Sequence, residues 1–379
     1  MQTQSKTHLL GCWVLVVLGT LPFLMQPIFL AIMGDVYGLN PTQLGLLAAT
    51  DMIGMLVVSL LGFWWLPRCN HGHLIRLSIV TMAVGYFLIP SVGSFEMLLL
   101  IRAVSGLLGH GVAFVLATTL LCRTAKPERA IAISVVSQLF TSSVLVSGLP
   151  WVLGKIGLIG TFILIGTLIL LLSSLCRGVV GESPTHRTQK PKGLSLSLAL
   201  GWLLIALVCF QIGLSSVWAF IEPLASSRGL TLAETGQFLS IILPLSMSGS
   251  LLASRIDMRF GRLPPVLAAI ILGITGLAIM VTSQTHLLFS AGFLCHQVAW
   301  NLGISYFYGA IVRETEGGGL ESMAPGFQAA GTALGPLIAG LAVSGFTLEA
   351  VAWVSGSFMV LALVILWAVG TKEPQRPGS

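Results

Sequence analysis

Charge is what this sequence has least of. Only 8% of its 379 residues are Asp, Glu, Lys or Arg, against about 25% in an ordinary soluble domain, while 55% are hydrophobic. A water-facing surface cannot be assembled from so few charges, so a soluble globular fold is excluded. The signatures of catalysis are missing as well. There is no HExxH, no GxSxG and no P-loop, so neither metal-assisted hydrolysis, acyl transfer nor nucleotide-driven chemistry has support, and an enzyme is not expected. The six cysteines (Cys12, Cys69, Cys122, Cys176, Cys209 and Cys295) form no CxxC pair. They read as small hydrophobes within or beside apolar runs, and no disulfide framework, metal site or cofactor is expected.

Long apolar runs fill the space that charge leaves, and the mean hydropathy is +0.95. Roughly 20 apolar residues suffice to cross a bilayer as a helix. Twelve runs of that order occur, over 9–33, 41–66, 74–92, 95–121, 130–152, 156–177, 197–223, 232–254, 264–282, 285–312, 324–344 and 349–370. The first is too long for the apolar core of a signal peptide and lacks a small-residue cleavage site. The chain is therefore expected to be an all-α integral membrane protein with twelve transmembrane helices.

Lysine and arginine orient it. With both termini cytoplasmic, the outer loops hold only Lys155 and Arg228, and Arg102 lies inside a span. The remaining sixteen of the nineteen basic residues fall on the inner side. That asymmetry is the positive-inside pattern of a cell (inner or plasma) membrane protein. It also accounts for the net charge of +6, so a nucleic-acid partner is not expected.

The polar stretch 178–194 bisects the chain, dividing an N-terminal six-helix bundle (1–177) from a C-terminal one (195–379) and serving as a cytoplasmic linker. The halves echo each other. GLNPTQLG (Gly38 to Gly45) returns as GLTLAETG (Gly229 to Gly236) in the equivalent loop. Both read as helix starts: Asn40 caps with Pro41 and Gln43 following, and Thr231 caps with Glu234 three residues on, the capping-box arrangement. Gln138 on span 5 and Gln328 on span 11 form a second echo. Parallel six-helix repeats are a transporter design with the substrate held between them near the bilayer midplane.

Several motifs then resemble the major facilitator superfamily, over essentially the whole length. Arg102-Ala-Val-Ser-Gly106-Leu-Leu-Gly109 is similar to that family's span-4 motif of an arginine followed by spaced glycines. Gly148-Leu-Pro150 on span 5 and Gly331-Thr-Ala-Leu-Gly335-Pro336 on span 11 resemble the glycine/proline motif of exporters. Arg259-Phe-Gly261-Arg262 resembles the basic end of the loop motif between spans 8 and 9, with Asp257 one place early. The corresponding 2–3 loop (Gly62 to Arg68) lacks the acid. The resemblance implies two pseudo-symmetric six-helix bundles and makes Asp257, Arg259, Gly261 and Arg262 candidates for loop gating.

Charges inside the spans are the candidates for function, because a cation at mid-membrane costs about 2.5–3.5 kcal/mol on insertion scales. Asp51 lies roughly 15 Å down span 2, and Arg102 roughly 10 Å down span 4 from the same face, at 1.5 Å per residue. An intramembrane Asp51–Arg102 pair follows, in which Asp51 exchanges a proton as its surroundings change. A permanent structural ion pair is the competing reading, and two unconnected residues a third. His110 is a further proton-coupling candidate, or else a hydrogen-bonded packing residue. Span 7 carries Gln211, Ser215, Trp218 and Glu222 on one face. The first three suit a cavity lining, and Glu222 suits either an interfacial carboxylate or a second proton site. Span 10 carries Gln297, Asn301, Ser305 and Tyr308, with His296 and Trp300 alongside. Polar groups among aromatics suit an organic solute of moderate size, and interhelical hydrogen bonding is the alternative use. Gln138 and Gln328 line the interface between halves or join helices.

The sequence thus points to a secondary active transporter, working as a monomer by alternating access, with a small-molecule substrate, a proton and the lipid bilayer as partners. Proton-coupled efflux of a drug, metabolite or siderophore-like compound leads. A proton symporter importing a small organic anion is the alternative, and a transport-dead receptor or assembly factor on the same scaffold is the lesser one.

Overall fold

Backbone amides and carbonyls inside a bilayer find no water, so a chain this apolar can cross only as helix or closed barrel. The computed structural model describes residues 6–66, 68–122, 124, 127–180, 198–256, 259, 263–315 and 324–370, and among them the regular structure is all helix, joined by short turns, without a strand. In order these are α1 Lys6–Leu24, α2 Gln26–Tyr37, α3 Pro41–Leu60, α4 Gly62–Trp65, α5 His71–Leu88, α6 Phe95–Val104, α7 Val112–Cys122, α8 Pro127–Leu172, α9 Arg177–Val180, α10 Leu198–Ser226, α11 Leu232–Ser246, α12 Ser248–Ile256, α13 Leu263–Thr282, α14 His286–Thr315, α15 Ala324–Gly345 and α16 Ala350–Gly370. Eleven helical stretches among the described residues are long and apolar enough to span a membrane. The chain is a multi-pass membrane protein.

The helix starts follow the local sequence. Asn40 Oδ1 accepts from the Gln43 amide at 2.9 Å while Gln43 Oε1 accepts from the Asn40 amide at 3.0 Å. The echo at Thr231 closes the same way, its amide donating to Glu234 Oε2 at 2.8 Å. Two orphan donors are satisfied at each start.

Two of the expected spans, 130–152 and 156–177, are joined without a loop. α8 runs for 46 residues, about 69 Å at 1.5 Å per residue, more than twice the hydrocarbon thickness of about 30 Å. It is broken at Gly157, with φ 69° and ψ −178°, and so counts as two crossings, making twelve. A side chain at that φ and ψ, a region essentially reserved for glycine, costs about 1–3 kcal/mol. Nothing lies within 4 Å of the place a Cβ would take, so the strain is purely of the backbone. Gly157→Ala is expected to lower stability by that amount in detergent micelles. A neutral result would show that the turn is not held in this conformation.

Span 4 is one helix in three parts: α6, a π-helical segment Ser105–Gly111, and α7. A π segment inserts an extra residue into the turn and often marks a functional site.

The chain divides into two compact units: Met1–Thr188 with Ala219–Pro244, and Gln189–Trp218 with Leu245–Ser379. In the first, α3 packs on α6 and the π segment, α1 on α7 and α8, and α5 on α8. In the second, α10, α13, α14 and α16 meet around Phe210, Ile270, Phe307 and Met359, the two phenylalanine rings lying 5.3 Å apart. Phe140, Leu171 and Trp353 remain 68%, 62% and 77% exposed. Such apolar surface is a liability in water and costs nothing against lipid tails.

Candidate functional site

Asp51 and Arg102 meet inside the first unit. Asp51 lies in the middle of α3, Arg102 in the last turn of α6, and they are 3% and 2% exposed. Both Arg102 Nε (3.0 Å) and Nη2 (2.5 Å) donate to the same carboxylate oxygen, Oδ2. Asp51 Oδ1, equally buried, has no hydrogen-bond partner among the described residues. The pair is therefore lopsided: one oxygen holds the arginine and the other is left over.

Glycine lets the two helices come this close. A Cβ on Gly54 would sit 2.6 Å from the carbonyl carbon of Gly106, and one on Gly106 would sit 2.9 Å from Asp51 Cα. These are backbone-to-backbone contacts, of the kind small residues permit between membrane helices.

Arg102 is also enclosed by rings. Its Cζ lies 4.7 Å from the centroid of Phe29 on α2 and 5.5 Å from that of Tyr86 on α5. Phe162 on α8 closes the cluster, edge-on to Phe29 at 6.1 Å and stacked with Tyr86 at 6.3 Å. A guanidinium over desolvated aromatic faces gains about 2 kcal/mol or more, which offsets part of the cost of burial. Sequence reasoning missed Phe29, Tyr86 and Phe162. Each is one apolar aromatic in an apolar run, and nothing in its spacing marks it.

His110 belongs to the same neighbourhood. It is wholly buried in the π segment, its ring edge-on to Tyr86 at 6.0 Å and its Nδ1 2.8 Å from the Leu18 carbonyl. Glu222 is half-buried late in α10 and within electrostatic reach of Asp35.

The second unit receives the remaining polar residues, and their hydrogen bonds divide them. Ser215 is buried and donates to the carbonyls of Gln211 (2.7 Å) and Gly331 (3.2 Å). Its neighbour Ser216 reaches the Gly335 carbonyl at 3.1 Å, so these hydroxyls join α10 to α15. Gln211 is wholly buried with neither amide atom paired among the described residues. Trp218 is buried, and His296 is buried with its ring stacked on Phe293 at 6.4 Å. Along α14 the stripe is unevenly covered: Gln297 is buried, Trp300 and Asn301 are intermediate, Ser305 is exposed and Tyr308 is intermediate again. Asn301 donates to Ser246 Oγ at 3.0 Å, and the Tyr308 hydroxyl donates to Gln328 Oε1 at 2.5 Å. Gln138, in the first unit, bonds the Ser134 carbonyl of its own helix at 3.2 Å. Arg259 is an exposed turn residue. Asp257, Gly261 and Arg262 lie outside the described residues. No group of three or more His, Cys, Asp or Glu able to hold a metal occurs among the described residues.

Comparison with known proteins agrees with this architecture. The family model described as Major Facilitator Superfamily matches residues 12–318. Among curated proteins, no sequence matches. Among solved structures, a mutant of the nucleoside transporter NupG superposes with a TM-score of 0.77 at 12% identity, over 96% of this chain and 100% of that one. A bacterial homologue of the human lysosomal transporter Spinster, inward-facing and occupied, gives 0.75 at 15% identity over 99% and 100% of the two chains. A D-xylose–proton symporter gives 0.71 at 15% over 95% and 96%. At these identities the likeness is one of fold.

Proposed function

The chain belongs to the major facilitator superfamily, and from that premise we propose that it couples proton movement to the efflux of a small organic compound, with Asp51 as the group that exchanges the proton. One observation carries the reading. A carboxylate buried beside Arg102 keeps one oxygen, Oδ1, without a partner among the described residues while Oδ2 holds the guanidinium. Oδ1 can take a proton without first displacing the arginine. Protonation then removes the charge that anchors Arg102, so the proton and the position of the arginine are coupled.

In this reading the bundles 1–177 and 195–379, joined by 178–194, tilt alternately about the substrate, with both termini cytoplasmic. Gln211, Trp218, Trp300, Ser305 and Tyr308 supply the polar and aromatic contacts that orient an organic solute. Gln297 and Asn301 extend that lining along α14, and His296 backs it. Glu222 is held as a second carboxylate nearer the membrane surface. The protein acts as a monomer.

Purified protein in proteoliposomes with an internal pH dye provides the test, using a panel of organic cations, organic anions, nucleosides and sugars. A compound that enters the vesicle lumen as protons leave it marks antiport, and movement of both in the same direction marks symport and the import reading. Asp51→Asn is expected to abolish the proton flux while leaving the protein folded. Full proton-driven transport by Asp51→Asn would exclude Asp51 from the exchange.

A further inference from the structure

His110 looks at first like a spare proton carrier, but its surroundings give it another task. Pro22 stands inside α1 and has no amide hydrogen, so the carbonyl four residues before it, that of Leu18, loses its helical donor. A buried carbonyl left without a donor is costly. His110 Nδ1 lies 2.8 Å from that same oxygen. A carbonyl can only accept, so Nδ1 carries the proton, and the neutral ring has its lone pair on Nε2. Nε2 is buried and has no partner among the described residues.

We propose that His110 is a positioning residue: its Nδ1–H replaces the amide that Pro22 lacks, pins α1 to the π segment, and so fixes the ring wall of the Asp51–Arg102 site. The contact is close beyond this one bond. One residue along α1, a Cβ on Gly19 would lie 2.7 Å from the Phe114 amide nitrogen, one turn beyond His110. From His110 the constraint passes to Tyr86, whose ring meets the imidazole edge-on at 6.0 Å. Tyr86 in turn lies 5.5 Å from the Arg102 guanidinium. A proline in one span and a histidine in another thus form one device. Each explains why the other is tolerated in the membrane.

The pairing makes the effect of one residue conditional on the other. Pro22→Ala returns an amide to Leu18, leaving the histidine proton redundant. His110→Ala is expected to lower Tm in detergent micelles and to speed labelling of Asp51 by dicyclohexylcarbodiimide, because Tyr86 is released from Arg102. In the Pro22→Ala background at least roughly half of that Tm loss should vanish. Asn places its amide nitrogen where Nδ1 stands and Gln where Nε2 stands. His110→Asn should therefore keep the wild-type labelling rate, and His110→Gln should behave as His110→Ala. In the unaltered protein, solid-state spectra of [15N]histidine, assigned by difference against His110→Asn, should show a protonated Nδ1 and a bare Nε2.

Strictly additive losses from Pro22→Ala and His110→Ala, rescue by Gln rather than Asn, or a proton on Nε2 would each overturn the proposal. The nitrogen spectrum also covers the case in which His110→Ala does not fold. All these readouts are independent of substrate and of proton flux, so failure here is distinguishable from failure of the transport reading.

Discussion

Asp51→Leu is expected to destabilise the protein by about 3–5 kcal/mol, the cost of leaving a buried charge without its partner. Arg102 is 2% exposed and its bonds from Nε and Nη2 both depend on the Asp51 carboxylate, which the substitution removes whole. The double variant Asp51→Leu/Arg102→Met removes both charges and should recover most of the loss, since a well-packed apolar pair often equals or exceeds a buried ion pair. Unfolding in detergent micelles, followed by tryptophan fluorescence, measures all three proteins. A loss under about 1 kcal/mol for Asp51→Leu alone, the range of an exposed pair, would show that Arg102 is not sealed from water as its burial implies. The stability series and the flux assay separate the two uses of the pair. If it were only structural, the double variant would regain stability and transport together. As a proton site it should regain stability alone.

The second large effect is steric. Gly54→Leu is expected to disrupt the α3 crossing with the π segment, because its first added carbon already falls 2.6 Å from two backbone atoms, Gly106 C and Leu107 N. Side chains can rotate away from an intruder, but backbone at a helix crossing cannot. Overpacking typically costs about 1–3 kcal/mol, and the upper end applies here. The helices must part, and with them Asp51 and Arg102. Gly148→Ala is the matching control: it too sits within a membrane helix, but nothing lies within 4 Å of its added carbon. Alanine there should be neutral or mildly stabilising, given its higher helix propensity. A near-neutral Gly54→Leu, no worse than this control, would mean that the crossing is looser than these distances require.

Legibility differed from residue to residue along physical lines. Asp51 and Arg102 could be paired on paper because a stranded charge demands a partner, and simple helical rise put both at comparable depth. The stripe on α10 was visible as a face, but which hydroxyls were already spent was not. Ser215 and Ser216 bond the carbonyls of Gly331 and Gly335, more than a hundred residues away. Pro22 was a legible signal that went unused, since a proline in a membrane helix always leaves a carbonyl to be satisfied. The direct passage from one crossing to the next at Gly157 was hidden as well, for a lone glycine among several does not announce a positive φ.

Composition and periodicity by themselves determined that this chain crosses the membrane as helices, about how many times, where the polar break falls, and which ionisable groups pay to be inside. These follow from transfer free energies summed along local windows, which need no knowledge of neighbours. Only the tertiary structure decided that Arg102 rests between Phe29 and Tyr86, that one oxygen of Asp51 has no partner among the described residues, and that His110 reaches the Leu18 carbonyl one turn before Pro22. Those facts depend on angular register between helices, set at close crossings by the absence of single carbon atoms at Gly54, Gly106 and Gly19, and no one-dimensional pattern carries that angle.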